Sequence, residues 1–182
     1  MEYLVVSDLH GSRTAAETVV KLYDNLNPDA ILCLGDVLYH GPRNNIPEDY
    51  APRDVIALLN PLAQHIIAVR GNCDAEVDQM VLKFALTADY NEFLLGRHMV
   101  FMSHGHVYSP DHHPDLAPGS IFLSGHTHIP TAEKRDNVFF LNPGSMGIPK
   151  GGYPASFALL RDDFFKVMNL SGNHIMSISF DE

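Results

Sequence analysis

Apolar residues along the chain fall into short, regularly spaced runs. Residues 3–6, 30–34, 65–69, 99–102, 120–123 and 138–141 each hold four or five mostly apolar, partly β-branched side chains. That length suits a buried strand better than a helix. Between the first two runs, residues 13–26 set Ala16, Val19, Val20, Tyr23 and Leu26 on one helical face, and Asn27-Pro28 stops the pattern. Residues 53–64 carry a second amphipathic stretch (Val55, Ile56, Leu58, Leu59, Leu62), with Pro61 limiting its last turn. This alternation of strand and helix predicts parallel strands joined by crossover helices. From residue 157 the rhythm changes. The runs 157–160, 164–170 and 175–180 are parted only by Arg161-Asp162-Asp163 and Ser171-Gly172-Asn173, a hairpin signal. A mixed α/β sandwich of two sheets fits both halves, as one domain over residues 1–182.

Composition narrows the class of partner. A formal charge of −10 argues against duplex nucleic acid, whose backbone needs clustered Lys and Arg. An acidic chain binds anionic substrates when a metal supplies local positive charge. No apolar stretch approaches the roughly 20 residues that span a bilayer, and Met1 to Val6 lead straight into a strand without a basic leader. A cytoplasmic location with no membrane partner is therefore expected, and Cys33 and Cys73 are expected as free thiols. Exposed apolar residues among the late strands leave a homo-oligomer open. There are 11 histidines, and their positions carry the information.

The residues that follow the strands stand out. They are Asp8 and His10 beside Gly11, Asp36 after Gly35, and Asn72 after Gly71. Later come His104 before Gly105, and His126 and His128 after Gly125. In open α/β sheets the carboxyl ends of the strands share an edge where ligand sites form, so these side chains should converge. The pairs Asp8/His10 and His126/His128 are expected to point the same way from extended segments. The seven residues offer four imidazoles, two carboxylates and one amide oxygen, too many for one tetrahedral zinc. They suit two divalent ions such as Mn²⁺, Fe²⁺ or Zn²⁺ sharing a carboxylate. Two dications against two carboxylates leave the site positive even after a hydroxide binds, which suits attack on a phosphate ester.

Together, Asp8-x-His10, Gly35-Asp36, Gly71-Asn72-x-Asp74, His104 and Gly125-His126-x-His128 resemble the signature of the calcineurin-like metallophosphoesterases, in particular the small YfcE-type phosphodiesterases. The likeness spans nearly the whole chain, including residues 36–44 and 142–145. It implies a four-layer α/β/β/α sandwich and a metal-dependent phosphodiesterase acting on a small diester. It also implies two divalent metal ions, manganese first, with iron, zinc, nickel or cobalt as alternatives. By the same resemblance Asp8, His10 and His128 hold one metal, Asn72, His104 and His126 hold the other, and Asp36 bridges. The catalytic set would be His104, Asp36, Asn72, Cys73 and Asp74, with Asp74 orienting a neighbouring histidine.

One position departs from the broader family. Many relatives have His after the Asn, placed to protonate the leaving group, where this chain has Cys73. A thiol with an ordinary pKa of about 8.5 is a less versatile proton donor than imidazole, so diesters with good leaving groups are expected as substrates. His40, His106 and Arg43 lie beside motifs and are further candidates for substrate contact. His65, His98, His112, His113 and His174 are expected at the surface or as caps, and Cys33 in the core. Two alternatives remain open: a phosphomonoesterase on the same centre, and a non-catalytic scaffold of the same fold.

Overall fold

The computed structural model describes residues 1–180. Its first half runs β1 (Glu2–Val6), α1 (Arg13–Leu26), β2 (Ala30–Cys33), α2 (Pro52–Leu59) and β3 (Ile66–Ala68). It continues through β4 (Tyr90–Leu95), β5 (His98–Ser103), β6 (Ile121–Leu123), β7 (Thr131–Arg135) and β8 (Val138–Asn142). The chain closes with β9 (Ser156–Arg161), β10 (Phe164–Asn169) and β11 (His174–Ser179). A six-stranded sheet has the order β11-β10-β9-β1-β2-β3, and a five-stranded sheet the order β4-β5-β6-β8-β7. As expected, β1, β2 and β3 are parallel and β9, β10 and β11 form antiparallel hairpins. The second sheet has a parallel centre, β5-β6-β8, between antiparallel edges.

Alternation along the strands explains the layering. On β1, Tyr3 and Val5 join the core between the sheets with Leu32, Met102, Leu123 and Phe165. Leu4 and Val6 face the other way, onto Ala16 and Val19 of α1 and Val55 of α2. Residues that are apolar on both faces read as continuous apolar runs, as strands covered on two sides must. The outer face of the second sheet, with Phe101, Phe122, Val138 and Phe140, is covered by Tyr108 and Leu116. Among the described residues no α-helix lies there; an irregular segment forms that layer, kept irregular by Pro110, Pro114, Pro118 and Gly119.

Three details differ from the sequence reading. Both edge strands of the second sheet, β4 and β7, carry alternating or polar residues (Tyr-Asn-Glu-Phe-Leu-Leu and Thr-Ala-Glu-Lys-Arg) and show no apolar run. Pairing defines β7: it turns into β8 through Asp136 and Asn137, both with positive φ, as a tight hairpin requires. The second helix ends at Leu59 and continues as a 3-10 turn over Asn60–His65, since Pro61 offers no amide. Finally, His98 is buried, 4% exposed. Its Nδ1 bonds the Gly119 carbonyl at 2.6 Å and its ring packs on Phe139 and Phe180. No helix among the described residues is long and apolar enough to cross a membrane.

Candidate metal centre

The carboxyl ends of β1, β2 and β3 in one sheet and of β5 and β6 in the other meet at one rim. Backbone bonds hold them there: Asp8 N–H donates to Gly35 O, His10 N–H to Asp36 O, and Gly125 N–H to His104 O. His104 ties the two sheets together, its Nδ1 2.6 Å from the Leu34 carbonyl at the end of β2. All seven expected residues gather at this rim, fed from five strands.

Their backbones are not extended. Asp8, His10, Asp36, His126 and His128 all lie in the left-handed region, with φ of 54°, 49°, 55°, 66° and 62°. The pairs two apart therefore project together from tight turns, which corrects the expectation from strand alternation. Asp and His tolerate this region better than most residues, yet it costs on the order of 1 kcal/mol each, and such strain persists where the surroundings over-determine it. Close packing adds to the constraint. A Cβ on Gly71 would meet Asp36 Oδ1 at 2.1 Å, and one on Gly125 would meet Ser7 Oγ at 2.0 Å, so both positions require glycine.

Inside the rim, lone pairs face one another. His10 Nδ1 bonds the Tyr39 carbonyl at 2.8 Å, His128 Nδ1 bonds the Ile148 carbonyl, and His104 Nδ1 bonds Leu34 O. A carbonyl only accepts, so each Nδ1 carries the proton and each Nε2 is left to face inward. His10 Nε2 is 3.3 Å from His128 Nε2, 3.5 Å from Asp8 Oδ1 and 3.6 Å from Asp36 Oδ2. His128 Nε2 lies 3.2 Å from Asp8 Oδ1, and His104 Nε2 lies 3.5 Å from Asp36 Oδ2 and 3.2 Å from Asn72 Oδ1. Asp8 Oδ1 is a buried oxygen without a hydrogen-bond donor. Acceptors pressed together in this way need cations between them. Asp8, His10 and His128 form one compact donor group, and Asp8, Asp36 and His104 another. His126 stands nearer the solvent, its ring 5.1 Å from that of His104, while its amide donates to Asp8 Oδ2.

Electrostatics follow from the same crowding. Burial would raise the Asp8 carboxyl, but His10 and His128 outweigh it and hold it well below the usual range. Burial likewise opposes the charge on Asp36, and His104 overcomes it. Burial opposes protonation of His104, yet Asp36 and Asp8 raise it to about 9. Burial and then the charge on His104 lower His126 and His106. Positive charge at the centre of the cluster is thus favoured by Asp8 and Asp36.

Asp74 has a different role from the one expected. Its carboxylate accepts the amides of Asp36, Val37 and Gly71 at 2.7–2.9 Å, clamping the backbone of the Asp36 turn; no histidine is bonded to it. Burial first, then Asp36, pushes it up to about 6 despite those three amides. Cys73 sits at the rim: its amide donates to Asp36 Oδ1 at 2.8 Å, and burial followed by the Asp36 charge pushes its thiol up to about 12. It is a neutral thiol, half-buried. His106 packs against the rings of His104 and His126, whereas His40 lies between Tyr39 and Tyr50.

An open cleft of about 420 Å³ leads to the cluster, lined by Asp36, Asn72, Cys73 and His126 together with two cations, Arg43 and Lys150. Sequence reasoning missed Lys150 and Ser7, whose Oγ bonds Asp8 Oδ2; the 142–145 segment, part of the likeness, supports the rim, with Ser145 Oγ on the Asp8 carbonyl and Asn142 Nδ2 on Gly125 O and Thr127 Oγ1. Small polar residues beside glycines were the available signal.

Comparison with known proteins agrees with this geometry. The family model for the calcineurin-like phosphoesterase superfamily domain matches residues 1–163. Phosphodiesterase YfcE of Escherichia coli K12 is 46% identical over 177 residues, covering 97% of this chain and 96% of its own. The solved structure of that E. coli phosphoesterase superposes with a TM-score of 0.97 at 44% identity, covering 100% of both chains. Vacuolar protein sorting 29 from Cryptosporidium parvum shares the fold, with a TM-score of 0.65 at 19% identity over 100% of this chain and 98% of its own.

Proposed function

The chain belongs to the calcineurin-like phosphoesterase superfamily, and on that footing we propose that it is a metal-dependent phosphodiesterase acting on a small diester. The observation that supports this most is the set of Nε2 atoms facing inward around the donorless Asp8 Oδ1. Asp8, His10, His128 and Asp36 would hold one divalent cation, and Asp36, Asn72, His104 and His126 a second, with manganese favoured among the candidates. Two such ions would lower the pKa of a shared water and clamp the attacking and leaving oxygens of an in-line displacement.

The protein's own groups do the rest. Backbone carbonyls of Tyr39, Leu34 and Ile148 fix the tautomers and aim the rings of His10, His104 and His128. Asp74 holds the Asp36 turn in place. Arg43 and Lys150 draw an anion into the cleft of an otherwise acidic protein. The Cys73 thiol, raised to about 12, is a weak acid at neutral pH, so the leaving group departs largely unprotonated. That favours diesters with good leaving groups.

Turnover of bis-p-nitrophenyl phosphate before and after chelation, with p-nitrophenyl phosphate in parallel, tests the reading. Diester turnover that chelation abolishes and Mn²⁺ restores is expected. Bound metal without turnover would favour a scaffold, and faster monoester turnover a phosphomonoesterase.

A further inference from the structure

Beside the metal cleft lies a second concavity of different chemistry. It measures about 480 Å³ and is walled mainly by Leu38, Tyr39, Tyr50, Ile56, Val77 and Val81, with Arg53 and Asp78 as its charged lining residues. Asp78, its acidic member, is 9% exposed, and its Oδ2 already accepts the Ala75 amide. Several walls stay open to solvent: Val77 is 60% exposed, Val81 43% and Tyr39 42%. Apolar side chains gathered around a concavity of this size form a binding surface.

Its position relative to the metal cleft bears on what it could hold. Cys73 lines both this concavity and the metal cleft, so the two meet at the residue whose amide holds Asp36 Oδ1. Tyr39 lines the apolar cleft, and its carbonyl bonds His10 Nδ1 in the donor cluster. Cys73 is half-buried and brings a small, weakly polar side chain to that junction. A phosphodiester has two organic groups and one anionic centre. The cation-lined cleft suits the anion, and the apolar path over Cys73 suits an organic group.

We propose that the cleft bounded by Tyr39, Tyr50, Ile56, Val77 and Val81 is a specificity subsite that takes an aromatic or branched apolar ester group of the substrate, reached from the metal centre over Cys73. This rests on the phosphodiesterase reading and narrows it to diesters with at least one bulky apolar substituent. Polar and compact diesters leave the subsite unfilled.

Benzylphosphonate and ethylphosphonate test it, because a methylene in each stands in for the ester oxygen and neither is hydrolysed. Against bis-p-nitrophenyl phosphate, benzylphosphonate should inhibit about tenfold more tightly than ethylphosphonate, the scale of burying one apolar side chain. The Val77→Thr/Val81→Thr variant keeps shape while adding hydroxyls, and should reduce that ratio to about twofold or less. In the zinc-loaded protein, benzylphosphonate should shift the methyl resonances of Ile56, Val77 and Val81, and ethylphosphonate should not. Equal inhibition by the two phosphonates with silent methyl resonances, in a protein that turns over the diester, would overturn the subsite while leaving the enzyme reading intact. Selective methyl shifts in a protein that turns over no diester would keep the subsite as a binding site and sink the phosphodiesterase reading instead.

Discussion

The two ends of the donor cluster are built differently. Asp8, His10 and His128 are 0%, 0% and 3% exposed, each tied to backbone or to Ser7 from behind. Asn72 is exposed and His126 half-buried; both line the open cleft, and the Asn72 amide reaches the neighbouring Cys73 sulfur and His104. Both groups are anchored by the fold, and His128 also lines the cleft, but Asn72 and His126 of the outer group stand nearest to solvent. Asp36 lies between them, with Oδ1 on the Cys73 amide and Oδ2 near both His10 and His104. On the proposed function, the inner cation should exchange slowly and the outer one readily.

Breaking the shared residue should erase the contrast. Asp36→Asn leaves the shape but removes the bridge, and diester turnover should fall by about a hundred- to thousandfold or more. The folded circular-dichroism spectrum should be retained. Removing the support behind it should do less: Asp74→Asn loosens the Asp36 turn and should weaken metal affinity about 10–100-fold, measured by competition with a chromogenic chelator. The outer group should suffer more than the inner one. If both groups lose affinity equally, Asp74 stabilises the whole rim rather than the Asp36 turn.

Proton competition sharpens the same contrast by about tenfold per pH unit. In the metal-free protein His104 is raised to about 9 by Asp36 and Asp8, so below that pH a cation must displace its proton. Metal affinity at the outer group should therefore rise as pH climbs from 6 towards 9 and level off above it, with proton release visible by calorimetry in buffers of different ionisation heat. The smallest effect is reserved for Cys73→His. Supplying an imidazole near the leaving group should change the ratio of diesters with poor to good leaving groups by a few-fold, up to about tenfold. An unchanged ratio would remove Cys73 from the account.

Much of this was legible in the chain and some was not, for identifiable reasons. Strands buried on two faces, such as β1 and β2, announce themselves as apolar runs. The edges β4 and β7 do not, because an edge strand's partner and not its composition defines it; Glu133 and Lys134 pair with Phe140 and Phe139. The donor residues were legible as Asp, Asn and His beside glycine at strand ends. Their left-handed backbones were not, and that geometry, not strand alternation, brings Asp8 and His10 together. The role of Asp74 escaped because its partners are three backbone amides, which leave no trace in side-chain spacing. Lys150 sits in a Gly- and Pro-rich stretch after Ser145 that returns to the cleft only through the fold.

On the proposed function one carboxylate, Asp36, is shared by two cations. Titrating the metal-free protein with Mn²⁺ while recording its electron paramagnetic resonance spectrum tests this directly. Uptake of two equivalents is expected, with the second converting an isolated-ion spectrum into that of an exchange-coupled pair, and loss of the coupling in Asp36→Asn. Saturation at one uncoupled equivalent in the native chain would contradict it.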